Sequence, residues 1–232
     1  MDYLKEKEFL TIQLHNFGRV VWVDIQESDI DLINLNHLAI LLKTLAKFKH
    51  LTNLATMKKL KNEELNRLSI EDFKKSEKSP ICIMLDNVRS MNNVGSAFRT
   101  SDAFLVEKIY LGGITATPPH RDIHKTALGA TESVDWEHVP DLKTKVIALQ
   151  KEGYKVYAVE QVNQSIKLND FTPLKGDKYC LIFGNEVFGV EDELIHLVDG
   201  CIEIPQFGTK HSLNISVSIG VVIWDLVSKM RK

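Results

Sequence analysis

From about residue 80 onward, short β-rich runs alternate with stretches of helical character, and this alternation constrains the fold most strongly. The runs predicted as strands are 81–86, 108–113, 132–139, 155–160, 178–184 and 201–205. Helices are predicted at 93–104 with Asn93 as N-cap, at 141–154 from Asp141 to Gly153, and at 189–198. This pattern predicts an α/β domain with a mainly parallel sheet and helices on both faces.

Composition narrows the class of protein. The chain has 232 residues, 44% of them hydrophobic, and a formal net charge of -2, which is typical of a globular domain and argues against chain-wide attraction to nucleic acid. No apolar run approaches the roughly 20 residues of a membrane span, and "MDYLKEKEFL" lacks the apolar region of a signal peptide. We therefore expect a cytoplasmic protein.

The cysteines and histidines do not suggest a metal site. The three cysteines lie in separate apolar runs without a C-x-x-C pair, as expected of reduced core thiols. His120 and His124 are four residues apart, but they follow two prolines and have no cysteine or carboxylate cluster nearby. No metal is therefore predicted.

Three segments with glycine and asparagine follow predicted strands, where ligands gather in parallel sheets. They are "LDNVRSMNNVGSAFRT" (85–100), "LIFGNEVFGVEDEL" (181–194) and "IPQFGTKHSLNISVSIG" (204–220). Taken singly, each also fits an ordinary capped helix, a tight turn or a strand edge. Their order and spacing carry the functional hypothesis.

The third segment is ambiguous in secondary structure. Polar and apolar residues alternate through 212–219, which is typical of a half-buried strand. Extending the window to residue 232 places Leu213, Val217 and Val221 at helical spacing, and the run ends in the basic "SKMRK". We therefore predict a helix that begins at "SLN", with Ser216 and Gly220 in a small-residue stripe suited to close packing.

Together the three segments resemble, in order, the three motifs of the SpoU/TrmH family of RNA ribose 2'-O-methyltransferases in the SPOUT superfamily. The resemblance runs from about residue 80 to the C-terminus, and "HKTALGA" (124–130) is similar to the family's segment between its first two motifs. It implies a C-terminal deep trefoil knot that forms an S-adenosylmethionine pocket, and a homodimer with the active site near the subunit interface.

The resemblance also implies roles for individual residues. The positions that match the catalytic and substrate-orienting motif residues are Asn93, Arg99, Glu186, Ser212 and Asn214. The positions whose backbone would hold the cofactor are Val159, Gly184, Ile204 and Leu213. Gln206 departs from the family's usual apolar residue. An arginine guanidinium stays protonated in proteins, so we expect Arg99 to position a phosphate and the hydroxyl, although the family's alternative is a base.

The implied reaction is methyl transfer to a ribose 2'-hydroxyl, first of a guanosine in tRNA and second in rRNA. Three alternatives are a base nitrogen as acceptor, a non-catalytic RNA-binding member of the fold, and a nicotinamide-binding enzyme. The last is disfavoured because "YLGGITAT" lacks the third glycine of the dinucleotide-binding motif. We expect "TPPHRDIHK" to be a flexible loop whose Arg121, His124 and Lys125 contact RNA or are simply solvated.

Residues 1–56 lie outside the resemblance. They contain a strand candidate, "RVVWVDI" (19–25), and a leucine-rich helix candidate (31–48), but no chemical motif. We interpret them as a packing extension. The alternatives are an accessory RNA-binding or dimer element, or a true start at Met57. Residues 57–232 form the predicted methyltransferase domain, in which 57–79 is a leader helix without an assigned role.

Overall fold

The computed structural model describes residues 13–17, 20–24, 43 and 58–231. The chain divides into two compact units, Met1–Asn66 and Arg67–Lys232. In the first unit, strands β1 (Gln13–Phe17) and β2 (Val20–Asp24) pair antiparallel, which confirms the strand predicted in "RVVWVDI". The helix predicted at 31–48 lies outside the described residues except for Lys43.

The predicted leader helix is not continuous. A short 3-10 helix covers Asn62–Leu65 and ends at Asn66, whose φ of 47° is left-handed. Helix α1 (Ile70–Lys75) then starts anew, because the hydroxyl of Ser69 accepts a hydrogen bond from the Asp72 amide and caps it. The break follows from this local capping.

The second unit is built on a seven-stranded sheet in the order β5-β4-β3-β8-β6-β9-β7. Its strands are β3 (Ser79–Asp86), β4 (Val106–Gly112), β5 (Trp136–Val139), β6 (Tyr154–Val159), β7 (Ile166–Lys167), β8 (Lys178–Phe183) and β9 (Gly200–Glu203). All six pairings within it are parallel. The predicted mainly parallel sheet is confirmed.

Helices cover both faces of the sheet, as predicted. Along β3, Ile83 and Leu85 point into a core with α2 (Met91–Ala103) and α7 (Ile215–Met230). The alternate residues Cys82 and Met84 point into a second core with α5 (Leu142–Lys151) and α6 (Asp192–Ile195). A strand buried on both faces needs apolar residues at every position, which explains the continuous run "ICIML".

Two helix starts differ from the predictions. Helix α2 begins at Met91, and Ser90 rather than Asn93 is its N-cap, because the Ser90 hydroxyl accepts a hydrogen bond from the Asn93 amide at 3.3 Å. Helix α6 covers only Asp192–Ile195, since Gly189 has a left-handed φ of 71° that a helix cannot contain. In contrast, α5 has the predicted cap at Asp141 and the predicted break at Gly153, where φ is 88°.

The predicted flexible loop at "TPPHRDIHK" (117–125) is helical from Arg121 onward. Helix α3 (Arg121–Ala127) starts after His120, whose ring nitrogen Nδ1 accepts the amide of Asp122. It is followed by the short α4 (Ala130–Ser133). The flanking prolines stop before residue 120, so they do not interrupt the backbone hydrogen bonds of α3.

Helix α7 resolves the ambiguity of the third segment. Asn214 is its N-cap, and the side-chain oxygen of Asn214 accepts the amide of Ser216 at 2.8 Å. The face that includes Ile219 and Ile223 is buried, whereas Leu213, Val217 and Val221, on which the prediction relied, are exposed. The helix was predicted correctly, and the structure adds that its Ile219–Ile223 side is the buried one. No helix in the described part of the chain is long and apolar enough to cross a membrane.

Candidate active site

The carboxyl ends of three neighbouring strands meet at one edge of the sheet. Val159 of β6 pairs with Phe183 of β8 and with Ile202 of β9. Beyond these residues the chain leaves the sheet in three loops, and the start of α7 lies against them. They enclose a cavity of about 500 Å³, lined by residues from the segments 159–161, 183–189, 202–206 and 212–218.

All four positions predicted to hold a cofactor line this cavity. They come from four different segments of the chain and are Val159, Gly184, Ile204 and Leu213. Gln206, noted as a departure from the family pattern, also lines it. A volume of this size lies within the range of about 300–1,000 Å³ that small-molecule sites occupy.

The predicted catalytic residues are only partly brought together. Glu186, Ser212 and Asn214 line the cavity. Asn93 does not line it, but its side-chain amide donates a hydrogen bond of 3.1 Å to Glu186. Arg99 lies one and a half turns further along α2, is exposed, and forms no ion pair within the described part of the chain.

Glu186 connects the cavity to the first turn of α2. Its carboxylate accepts the backbone amides of Arg89 and Ser90, each at 3.1 Å, as well as the side chain of Asn93. Burial disfavours the charge, but the hydrogen bonds from Asn93 and the backbone outweigh it and lower the pKa of Glu186. Glu186 is therefore an ionised anchor for these groups near neutral pH rather than a proton donor.

The loop after β8 requires glycine at two positions. Asn185 and Gly189 exchange backbone hydrogen bonds of 2.8 and 2.9 Å, which folds residues 184–189 into a tight turn. A Cβ atom at Gly184 would collide with the backbone of Gly189 and Val190, and Gly189 has a left-handed φ. Glycine at residue 184 thus allows the two ends of this loop to pack backbone against backbone beside the cavity.

Two residues that hold the site together were not singled out from the sequence. The side chain of Asn185 is buried, donates to the carbonyl of Asn87 at 2.7 Å and accepts the amide of Val187 at 2.8 Å. Glu160 accepts the amides of Gln161 at 2.9 Å and Val190 at 3.1 Å, so it joins the loops after β6 and β8. Their signal was positional only, since Glu160 is the first residue after β6 and Asn185 the second after β8.

The third motif contributes to the site mainly through side-chain hydrogen bonds at the start of α7. The side-chain oxygen of Asn214 accepts both the amide and the hydroxyl of Ser216, at 2.8 and 2.6 Å. Ser216 is thus a hydrogen-bonding partner as well as a member of the predicted small-residue stripe. A Cβ at Gly220 would contact nothing within 4 Å, so Gly220 makes no close packing contact in a single chain.

The charged residues that line the cavity restrict which ligands it can bind. Three carboxylates line it, those of Glu160, Glu186 and Glu203, and no lysine or arginine does so among the described residues. Such a wall attracts a cationic group and disfavours the phosphates of a dinucleotide. A ligand with a positive centre and polar ends that bind loop backbone fits this cavity, which further argues against a nicotinamide cofactor.

Comparisons with known proteins agree with the fold and the motifs. The model of the SpoU rRNA Methylase family matches residues 80–224. The chain is 29% identical over 163 residues to the tRNA (guanosine(18)-2'-O)-methyltransferase of Thermus thermophilus, which covers 70% of this chain and 81% of that protein. It is 28% identical over 164 residues to the 23S rRNA (guanosine-2'-O-)-methyltransferase RlmB of Vibrio cholerae, covering 71% and 65%.

Two solved structures share the fold. The TrmH/SpoU tRNA modifying enzyme of A. aeolicus superimposes with a TM-score of 0.62 at 24% identity, over 70% of this chain and 80% of that one. The SpoU methyltransferase AviRb of Streptomyces viridochromogenes, crystallised with AdoMet, gives 0.60 at 20% identity over 69% and 62%. The protein has the fold of these enzymes, and by its family match the chain belongs to the SpoU rRNA methylase family.

Proposed function

We propose that the protein is an S-adenosylmethionine-dependent RNA methyltransferase that methylates a ribose 2'-hydroxyl, first of a guanosine in tRNA and second in rRNA. The observation that carries the proposal is the acidic cavity at the ends of β6, β8 and β9, which Glu186 links to Asn93. The similar proteins of Thermus thermophilus and Vibrio cholerae are named for guanosine 2'-O-methylation of tRNA and rRNA, respectively.

The cavity suits S-adenosylmethionine in size and charge. The backbone of Val159, Gly184, Ile204 and Leu213 would hold it, and the lack of a side chain at Gly184 lets the backbone of Gly189 and Val190 pack against this part of the wall. Carboxylates around the cavity favour the positive charges of its sulfonium and amino groups. When bound, this cofactor supplies an electrophilic methyl group with a neutral leaving group.

The chain's own residues would align the acceptor hydroxyl. Asn93 is held by Glu186 at the first turn of α2, so its amide is fixed rather than free to rotate. Arg99 presents an exposed guanidinium on the same helix, suited to bidentate contact with a phosphate next to the target ribose. Asn214 and Ser212 at the start of α7 would orient the ribose. Such positioning supplies several kcal/mol of barrier reduction.

A homodimer is part of the proposal. An exposed apolar stripe runs along α7 and begins just before it, formed by Leu213 (40% exposed), Val217 (49%), Val221 (38%) and Trp224 (61%). Trp224 also packs against the half-buried Phe104, with ring centroids 5.9 Å apart. A stripe of this kind on a soluble enzyme favours burial against a second copy, and it begins at the cavity-lining Leu213. Dimerisation would therefore order the α7 side of the active site.

We also propose that the C-terminal segment is threaded as a deep trefoil knot. Two contacts support a close association between this segment and the chain that follows β6. The Gln161 side chain donates to the carbonyl of His211 at 2.8 Å. Lys229 donates to the carbonyls of Leu168 and Phe171 at 2.7 and 2.8 Å. An experimental structure in which residues 204–214 pass outside the loop between β6 and β8 would contradict the knot.

Residues 1–56 are proposed to be an extension of the methyltransferase domain at 57–232. In support, a protein of Borreliella burgdorferi that is named as an uncharacterized tRNA/rRNA methyltransferase is 28% identical over 225 residues, 96% of this chain, so the similarity extends into the first 56 residues. A start at Met57 is the alternative, and the N-terminal peptide of the native protein distinguishes the two. The buried cysteines, including Cys82 with a pKa raised by burial to about 12, are consistent with our proposal of a cytoplasmic protein.

The decisive experiment is transfer of a radiolabelled methyl group from S-adenosylmethionine to separate pools of tRNA and rRNA, followed by mapping of the modified nucleotide. We expect alkali-resistant dinucleotides that contain a 2'-O-methylated guanosine from the tRNA pool. A label on a base would refute the ribose as acceptor. Cofactor binding measured by calorimetry without methyl transfer to either pool would favour the non-catalytic alternative, and no cofactor binding would overturn the proposal.

A further inference from the structure

A second cavity, of about 580 Å³, lies outside the candidate active site. It is formed by the segment before α3, by α3 itself, by α4 and by the first residue of β5. None of its lining residues belongs to the cavity described above, and none has a role in the proposed methyl transfer.

One wall of this second cavity is flat and apolar. The ring of Trp136 lines it together with Pro118 and Pro119, and Trp136 is half-buried rather than hidden in the core. Behind it, the Trp136 ring meets the ring of Phe98 edge to face, with centroids 6.5 Å apart. Phe98 is fully buried and supports the indole from the core side, while the half-buried Trp136 contributes aromatic surface to the cavity.

The other wall is polar and carries both signs of charge. Arg121 and His124 lie three residues apart on α3, are exposed, and supply hydrogen-bond donors for an anionic group. Glu132 on α4 contributes an exposed carboxylate that accepts hydrogen bonds. A stacking surface, cationic donors and a carboxylate acceptor together match a nucleotide: its base, its phosphate and the N–H groups on the edge of the base.

The second cavity is coupled to the helix that carries Asn93 and Arg99. Thr126 of α3 donates to the carbonyl of Asn92 at 3.0 Å, and Gly95 packs so closely on α3 that a Cβ would collide with Thr126 and Ile123. Asn92 contacts Thr126, and Gly95, further along α2, also contacts Ile123, which comes earlier in α3. The two helices are therefore antiparallel at this contact. The start of α3, where the second cavity opens, therefore lies towards the Arg99 end of α2.

We infer that this second cavity binds an unpaired nucleotide of the RNA substrate, outside the site of methyl transfer, with the base on Trp136 and a phosphate on Arg121 and His124. Glu132 accepts N–H groups from the base, so guanine is preferred and uracil, which offers one N–H donor on its pairing edge, is disfavoured. The inference rests on the proposed RNA substrate. Arg121 and His124 thus belong to a defined nucleotide site rather than to a dispersed basic patch on α3.

The test is RNA binding by the full-length protein, measured with unmodified tRNA as the probe at several salt concentrations. We expect Arg121→Ala to weaken binding about five- to tenfold and to lower the slope of log K against log salt by about one, as for the loss of one phosphate contact. Arg67→Ala, which removes an exposed arginine outside this cavity, is the matched control and should change affinity less than twofold. Lys125→Ala distinguishes the site from a patch: Lys125 lies on α3 but does not line the cavity, and losses equal to those of Arg121→Ala would overturn the inference.

The stacking surface is tested separately. Trp136→Leu should weaken tRNA binding about tenfold, whereas Trp136→Phe should retain most of it because a stacking ring remains. Because Trp136 also packs on Phe98, thermal unfolding of both variants is compared, and a loss of affinity that follows only a loss of folding counts against the inference. In competition assays, guanosine 5'-monophosphate should displace tRNA from the wild type better than uridine 5'-monophosphate, and Glu132→Gln should reduce that difference.

These measurements separate the second cavity from the proposed catalytic function. RNA binding is read without methyl transfer, so an inactive wild type would refute the catalytic proposal and leave the binding test intact. In active protein, Arg121→Ala should raise the KM for tRNA and leave S-adenosylmethionine affinity unchanged. If Arg121→Ala changes the oligomeric state in sedimentation instead of the RNA affinity, the second cavity is a protein interface and the inference fails.

Discussion

The side-chain amide of Asn93 donates a hydrogen bond of 3.1 Å to the carboxylate of Glu186, which follows it by 93 positions in the chain. The same carboxylate accepts the amides of Arg89 and Ser90. The loop that lines the cavity thus also holds the beginning of α2, and two of these three contacts do not depend on the Asn93 side chain. The first prediction tests the orienting role of this bond.

Asn93→Ala should lower the turnover number for RNA methylation about 10- to 100-fold, because the group that aligns the ribose is lost. The affinity for S-adenosylmethionine should change less than threefold, since Asn93 does not line the cavity. Steady-state kinetics and calorimetry measure the two effects. Asn92→Ala, at the neighbouring exposed position, is the control. Equal losses in both variants would contradict a specific role for Asn93.

Arg99→Ala should reduce methyl transfer to background while the protein stays folded and dimeric. The side chain is exposed and forms no ion pair in the described part of the chain, so the melting temperature should change by less than about 2 °C. Arg99→Lys should recover only part of the activity because an ammonium cannot grip a phosphate bidentately. Turnover near that of the wild type in Arg99→Ala would exclude the proposed role.

Gly184→Ala should destabilise the protein and abolish cofactor binding. The added methyl group would collide with the backbone of Gly189 and Val190, at a cost of about 1–3 kcal/mol, or roughly 2–12 °C in melting temperature. Gly208→Ala is the matched control, since a Cβ there would meet nothing within 4 Å. Calorimetry with S-adenosylmethionine and thermal unfolding provide the readouts. Normal cofactor affinity in Gly184→Ala would remove the β8 loop from the proposed site.

Val217→Asp should shift a dimer towards monomer and raise the dimer dissociation constant at least tenfold, because a charge would be buried in the apolar stripe of α7. Sedimentation equilibrium at micromolar concentration measures the effect. Ile147→Asp is the control, since Ile147 is an apolar residue on α5 that is 40% exposed but lies outside the stripe. A wild type that sediments as a monomer would refute the proposed homodimer.

The titration of Glu186 gives a pH dependence of known sign. Its pKa in the folded protein is lowered from 4.5, so the stability it contributes is present above that value and is lost as the pH falls through the lowered pKa. Glu186→Gln should lower the melting temperature by about 2–4 °C at pH 6, from roughly 1 kcal/mol of charge-assisted hydrogen bonds to Asn93 and the backbone at an exposed site. Below pH 4.5 the difference from the wild type should shrink, and a difference that grows towards acid would show the opposite sign.

Local sequence signals predicted much of the fold and the site. Asp141 and Gly153 set the ends of α5, and the "SLN" element gave the start of α7, because capping residues and glycine act within a few residues of themselves. Asn93 was wrongly taken as the cap of α2. Ser90 caps the helix, and the Asn93 side chain instead bonds Glu186, almost a hundred residues away, a contact that no local pattern reveals.

Other features could not be read from the sequence because they depend on tertiary contacts. The buried side chain of Asn185 joins two loops that are 98 positions apart, and no local pattern marks it. The exposure of Val217 and Val221 depends on which side of α7 meets the sheet, since both sides are apolar. Helix α3 was missed because the two prolines of "TPPHRDIHK" indicated a loop. Both prolines lie before the first helical residue, so they do not prevent the helix.

The cavity draws its walls from four segments between Val159 and Ser218, and the last of them includes the start of α7. The ribosome makes the chain from its N-terminus, so β3, β4 and β5 and their helices emerge long before the start of α7 can close the pocket. A nascent chain that has exposed its first motif still lacks a complete place for a cofactor. Under the proposed function, methyl transfer therefore requires synthesis to pass the start of α7, since a premature stop before residue 212 would remove part of the cavity wall.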